Sequence, residues 1–185
     1  MNTIITIIIL SLLIVIISIV VLYYNKFVSL RNMIEEAFSS IDIQLKRRYD
    51  LIPNLVETVK GYAKHESTTL ENVVKLRNLA QSSDNMTDKI RNENMLTSAL
   101  RTVFAIAESY PELKANENFL SLQNSLTEIE NNIQAARRYY NAVVKEYNTL
   151  CETFPSLIIA NMFHFSKKEF FTIDDEEKKN IKVSF

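Results

Sequence analysis

From Ile4 to Tyr24 apolar residues follow one another almost without interruption, and no charged side chain occurs before Lys26. As a helix this run is about 30 Å long, the thickness of a bilayer's hydrocarbon core, so it predicts a transmembrane span. Thr6, Ser11 and Ser18 break the run, but a helical hydroxyl can bond the carbonyl one turn back and is tolerated in lipid. A cleaved signal peptide would bring a basic start, a shorter apolar core and a small-x-small site. Residues 1–3 hold no Lys or Arg, and Tyr23, Tyr24 and Asn25 stand where that site would fall. The expectation is a retained anchor.

Beyond the anchor the apolar period becomes helical. Phe119, Leu122, Leu126, Ile129, Ile133, Ala136, Tyr140, Val143, Tyr147, Leu150 and Phe154 recur at alternating spacings of 3 and 4, a heptad seam. It predicts a helix from Asn116 to Thr153, about 57 Å long, with Asn116 as N-cap and Pro155 ending it. Phe27, Leu30, Ile34, Ala37, Phe38, Ile41 and Leu45 share a face of a segment that continues the span to Tyr49. Asp50 is expected to cap the next helix, which runs to Ala80 with Pro53 in its first turn. A kinked continuous helix through Asp50–Pro53 is the alternative. Thr68 with Glu71 reads as a second capping box, dividing this segment near His65. The polar stretch from Gln81 to Asn94 is expected to be the longest loop, followed by a helix with Leu96, Leu100, Val103, Ile106 and Tyr110 that Pro111 closes.

Composition narrows the fold. One glycine and three prolines in 185 residues are too few for the turns of a β-rich or α/β chain. The predicted class is all-α: a single N-terminal transmembrane helix continuing into an antiparallel up-and-down four-helix bundle, with an extended C-terminal tail packed on it. The expected divisions are a short extracytoplasmic start (1–3), the span (4–24), a cytosolic bundle (25–154) and the tail (155–185). Lys26 and Arg31 follow the span and nothing positive but the terminal amine precedes it, so the N-terminus is expected outside the cell membrane and the C-terminal domain in the cytosol. The lone Cys151 suits a reducing compartment, and a net charge of -1 gives no sign of nucleic acid as a partner. Membrane lipid is the partner of residues 4–24.

Catalytic motifs fail on their spacing. His65-Glu66 opens like the zinc-protease motif HExxH, but position 69 is Thr. A di-iron centre needs Glu three residues before each His, and Tyr62 and Asn161 stand there. A phosphate loop needs several glycines close together. Cys151, beside Leu150, reads as a packed side chain. No catalytic residue, metal ligand or cofactor is expected. Lys46, Arg47 and Arg48 could bind anionic headgroups, but a straight helix would carry Lys46 about 33 Å from the membrane, beyond a Debye length of about 10 Å. Ion pairing within the bundle to Asp42, Asp50, Glu66, Glu128 or Glu130 is favoured, and Arg137 and Arg138 invite the same reading. Tyr139, Asn141 and Asn148 are candidates for an interaction surface, whereas Tyr140 and Tyr147 belong to the seam. Leu157, Ile158, Ile159, Met162, Phe163, Phe165, Phe170 and Phe171 are expected to lie against the bundle. Asp174 to Lys179 reads as a solvated charge run, and Ile181, Val183 and Phe185 alternate like a strand ending in a free carboxylate; docking on the chain's own bundle is favoured over a PDZ-type groove.

The stretch IDIQLKRRYDLIPNLVETVKGYAKHE (Ile41 to Glu66) resembles the signature of the LemA family of bacterial membrane-anchored helical proteins. YPELKANENF (Tyr110 to Phe119), ENNIQAARRYYNAVVKEYN (Glu130 to Asn148) and FPSLIIANMF (Phe154 to Phe163) are similar to that family's later blocks, in the same order. The resemblance implies a four-helix antiparallel bundle on one N-terminal span, N-out and C-in, and no enzyme. It also implies membrane or envelope proteins as partners, a membrane metalloprotease among them, because members are often encoded beside one. One branch of the family is associated with forming magnetosome vesicles. The family pattern carries Gly where His164 stands, Pro where Asn180 stands and Trp where Phe38 stands.

Two functions remain from different classes. The favoured one is a non-enzymatic scaffold or adaptor that presents its cytosolic bundle to envelope or membrane-protein partners. The alternative is an enzyme or regulated hydrolase subunit using scattered polar residues of the bundle.

Overall fold

The computed structural model describes residues 2–83 and 85–171; the charge run and the alternating residues expected after Asp174 lie outside them. The described chain is helical, with no strand. Helix α1 spans Asn2–Tyr62, a 3₁₀ turn covers Lys64–Glu66, and α2 spans Ser67–Gln81. Next come α3 (Met86–Ala107), α4 (Pro111–Lys114), α5 (Glu117–Glu152) and α6 (Ser156–Met162).

Helix α1 does not stop at Asp50. It runs through Pro53 without a break, so the expected Asp50 cap is corrected in favour of a continuous helix. Proline has no N–H to offer the carbonyl four residues earlier, here that of Tyr49. Arg77 on α2 supplies the missing donor: its Nε bonds the Tyr49 carbonyl at 2.8 Å. The helix ends at Tyr62, near the position where the sequence places a division. The capping box expected at Thr68 does not form, because Thr68 and Glu71 lie inside α2 and residue 66, at its N-cap, makes no side-chain cap bond.

The long polar loop is also corrected. Helix α2 reaches Gln81 and α3 begins at Met86, so most of the stretch up to Asn94 belongs to the first half of α3. Asn85 caps α3, its Oδ1 accepting from the Asp88 amide at 2.8 Å. Pro111 opens the short α4 as its first residue, where its missing N–H is harmless, while α3 has already ended at Ala107. Asn116 caps α5 as expected, accepting from the Phe119 amide at 3.0 Å. Of the seam, Phe119, Leu126, Ile129, Ile133, Tyr140, Val143 and Tyr147 are buried. Phe154 is not: α5 ends at Glu152, and this ring lies 80% exposed.

The chain divides into two compact units. One comprises α1 up to Ser39 together with residues 137–170. Here Ile4–Ile19 are exposed along the whole helix surface, as a lipid-facing span requires, and the three hydroxyls of Thr6, Ser11 and Ser18 each bond a carbonyl of the preceding turn at 2.8 Å. Its buried residues include Phe27, Leu30 and Ile34 of α1 and Tyr140, Val144 and Tyr147 of α5. Phe27 contacts Tyr147 and Phe38 contacts Tyr140, with centroids 5.6 and 6.1 Å apart, so α1 and α5 run antiparallel here. Asn148 holds the backbone of Lys168 from both sides, donating at 2.9 Å and accepting at 2.8 Å. The coverage expected for the last apolar segment is only partial. Ile159, Ala160 and Phe171 are buried, but Leu157, Ile158, Met162, Phe163 and Phe170 are exposed.

The other unit contains residues 40–136 and Phe171. Buried Ile41, Leu45, Ile52, Leu55 and Val59 of α1 recur at helical spacing, and α2, α3 and the first part of α5 add Val73, Leu96, Leu100 and Ile133 to its core.

Candidate functional site

Helix geometry divides the basic cluster. Leu45, Arg48, Tyr49 and Ile52 follow the i, i+3, i+4, i+7 rule and are buried together, whereas Lys46 and Arg47 turn outward and are exposed. Arg48 is 1% exposed. On α3 the same spacing places Ile90, Glu93, Thr97 and Leu100 on one buried face, with Glu93 fully enclosed. Glu130 of α5 sits at the edge of the core with its side chain 25% exposed.

These residues converge. Arg48 Nη1 donates to Thr97 Oγ1 and to Glu130 Oε2, each at 2.8 Å. Its Nη2 donates to Glu93 Oε2, and the Tyr49 hydroxyl donates to the other oxygen of the same carboxylate. Gln134 braces Glu130 from the next turn at 3.0 Å. Burial pushes the Arg48 guanidinium below its ordinary pKa, and the charge and hydrogen bond of Glu130 oppose that shift. An arginine so paired remains a cation. The favoured intramolecular pairing is therefore what the structure shows for Arg48. Glu130 is among the acids named from sequence, while Glu93, Thr97 and Tyr49 are not.

A cleft of about 170 Å³ opens beside this network between Thr97, Leu100, Phe104 and Leu126. The carboxylates that could act there as acid or base are already held by Arg48. A second cleft, of about 350 Å³, has aliphatic walls from Val56, Ala63, Leu70 and Val74 with Lys60 and Lys64 at its edge. Among the described residues no three His, Cys, Asp or Glu side chains are grouped to hold a metal ion. His65 is exposed in the 3₁₀ turn, and Glu66 accepts a long bond, 3.4 Å, from the Tyr110 hydroxyl. Cys151 is buried, and its thiol is pushed above its ordinary pKa by desolvation and by Glu152, against a smaller opposing pull from Lys167. That is the opposite of an activated nucleophile.

The six candidate surface residues are divided between the two units. Lys46, Arg47 and Arg48 belong to one unit, and Tyr139, Asn141 and Asn148 to the other. Tyr139 is exposed, Asn141 half-buried, and Asn148 buried against the Lys168 backbone. Arg137 is buried and Arg138 exposed.

A family model described as the LemA family matches residues 37–185. Protein LemA of Metamycoplasma hominis is 24% identical over 161 residues, which cover 86% of this chain and 74% of that protein. Magnetosome proteins MamQ of Magnetospirillum gryphiswaldense and of Paramagnetospirillum magneticum are each 22% identical over 174 residues, covering 80% of this chain. The chain spans 64% of the length of these magnetosome relatives.

Proposed function

The chain belongs to the LemA family, and we propose that it is a single-pass membrane protein that presents a cytosolic helical bundle as a non-enzymatic scaffold or adaptor. In this reading residues 4–24 cross the membrane with the N-terminus outside, residues 25–154 form an antiparallel up-and-down four-helix bundle, and the tail docks on it. The partner is a membrane or envelope protein, a membrane metalloprotease being one of that class.

The observation that carries the reading is the continuity of α1. The same helix is bare and apolar from Ile4 to Ile19 and supplies buried core positions from Phe27 onward. Lys26 and Arg31 at the end of the span support the cytosolic placement. The convergent polar groups support a structural use, since Arg48 neutralises the carboxylates an enzyme would need free. The similarity to magnetosome proteins supports membrane shaping as one form the role can take.

Two measurements test the proposal. Single cysteines placed at Asn2 and Lys46 in a Cys151→Ser background should react with a membrane-impermeant maleimide in intact cells at position 2 only. Crosslinking in intact membranes should recover a membrane or envelope protein. Recovery of this chain alone, with envelope proteins unchanged after its deletion, would sink the adaptor reading.

A further inference from the structure

The last apolar segment of the described chain is placed beside the anchor and left open. Lys26 pairs with Glu146 at 2.9 Å, and Phe27 meets Tyr147. Because α1 and α5 are antiparallel there, the five residues of α5 beyond Tyr147 lead back toward the span. The span itself records this. Ile4–Ile19 are exposed, but Val20 and Tyr23 are half-covered. Tyr24, the last residue of the apolar run, holds Phe163 edge-on at 4.8 Å and Phe165 at 5.8 Å. The segment that ends α5 and forms α6 thus lies at the depth where the anchor leaves the hydrocarbon.

Helix α6 has one face on protein and another without it. Ser156, Ile159 and Ala160 are buried. Ile158 and Met162, one turn apart on α6, are 50% and 59% exposed with Leu157 exposed beside them, and Phe154, in the turn that precedes the helix, is 80% exposed. Of the two polar residues in SLIIANM, Ser156 is buried and Asn161 is exposed beside Leu157 and Ile158, so the open face is apolar but for one neutral amide, at the depth where the anchor ends. Lys167, which pairs with Glu152, and Lys168 follow it, where headgroup phosphates would stand.

We propose that residues 153–163 are a second membrane contact, with α6 lying in the interfacial layer of the bilayer and Phe154, Ile158 and Met162 set among the upper acyl chains. The partner is the lipid surface itself, reached because the anchor brings it there. The inference rests on the membrane-anchor reading, and its test separates the two.

The chain has no tryptophan, so single Trp reporters are unambiguous. Phe154→Trp and Ile158→Trp report on the proposed contact, Ile14→Trp on the span and Tyr139→Trp on an exposed face of α5. The full chain is placed in vesicles of phosphatidylethanolamine and phosphatidylglycerol carrying spin-labelled lipid at a shallow or a deep acyl position. The expected result is severalfold stronger quenching of the Trp at 154 and 158 by the shallow label than of the Trp at 139, with the Trp at 14 quenched by the deep label. If only the Trp at 14 meets lipid and those at 154 and 158 are quenched by aqueous iodide like that at 139, the second contact is refuted and the anchor stands. Blue-shifted emission at 154 and 158 without lipid quenching would mean protein covers the face, which also overturns the proposal. If the Trp at 14 is not quenched by lipid, both readings fall.

Discussion

Arg77 does for the Tyr49 carbonyl what the missing amide hydrogen of Pro53 cannot: its Nε donates to that oxygen at 2.8 Å from the neighbouring helix. A buried carbonyl with no donor costs about 1–3 kcal/mol, so Arg77→Ala should destabilise the chain by that order. In a Pro53→Ala background the restored N–H takes over, and the same Arg77→Ala change should cost clearly less. Denaturant unfolding of the four proteins of this cycle in detergent checks the coupling. Equal costs in both backgrounds would show that Arg77 acts in some other way.

Removing one member of the enclosed pair between Arg48 and Glu93 strands the other. Glu93→Ala or Arg48→Met should each cost about 3–5 kcal/mol, while a combined Arg48→Met/Glu93→Leu protein should be less damaged than either. Unfolding midpoints of the three variants measure this, and a double variant worse than both singles would contradict it.

His164 follows α6 with φ at 58°, the left-handed region that L side chains avoid. The Phe165 amide bonds the Ala160 carbonyl at 2.9 Å, which completes a Schellman-type end to α6. Glycine meets that geometry without a Cβ penalty. His164→Gly should therefore stabilise the chain by about 1 kcal/mol, seen as a higher melting temperature. A lower one would refute the account.

Burial raises the Tyr147 hydroxyl above its ordinary pKa of 10.0; Cys151 adds to the shift and Arg31 opposes it. A group whose folded pKa is raised contributes stability that is complete below the unfolded value and is lost as pH rises through the folded one. Stability should thus fall above pH 10, the window set by the unfolded tyrosine, and Tyr147→Phe should flatten part of that fall. Unfolding curves collected across the alkaline range decide it.

What the sequence revealed depended on whether polar residues stayed out of the core. Helix α5 is legible to within a residue or so because an amide side chain at Asn116 caps it and apolar residues fill its seam. Its end is less so: Phe154 continues the heptad count, but the backbone has already left the helix, and the count cannot register that. The first half of α3 is hidden for a stronger reason. Its most enclosed side chain is Glu93, so a stretch that buries a face reads as a solvated loop. The periodic signal was present in Ile90, Glu93, Thr97 and Leu100, but only a partner such as Arg48, 45 residues away, makes that glutamate a core residue. Pro53 misleads similarly, since its local chemistry favours a helix start and the compensating donor comes from Arg77, 28 residues from the carbonyl it bonds.

The pairing of Arg48 with Glu93 also bears on which folds are forbidden. Layers of Leu, Ile and Val pack nearly as well when one helix slides past another by a turn, about 5.4 Å, so an all-apolar core sets helix alignment weakly. Here a slip of α3 by one turn would bring either Lys89 or Thr97 to the position of Glu93. The first sets two cations together, and the second leaves the guanidinium without its enclosed carboxylate. Either misalignment buries an uncompensated charge. The ion pair is thus an alignment key for α1 and α3, acting on the competing arrangements as much as on the native one.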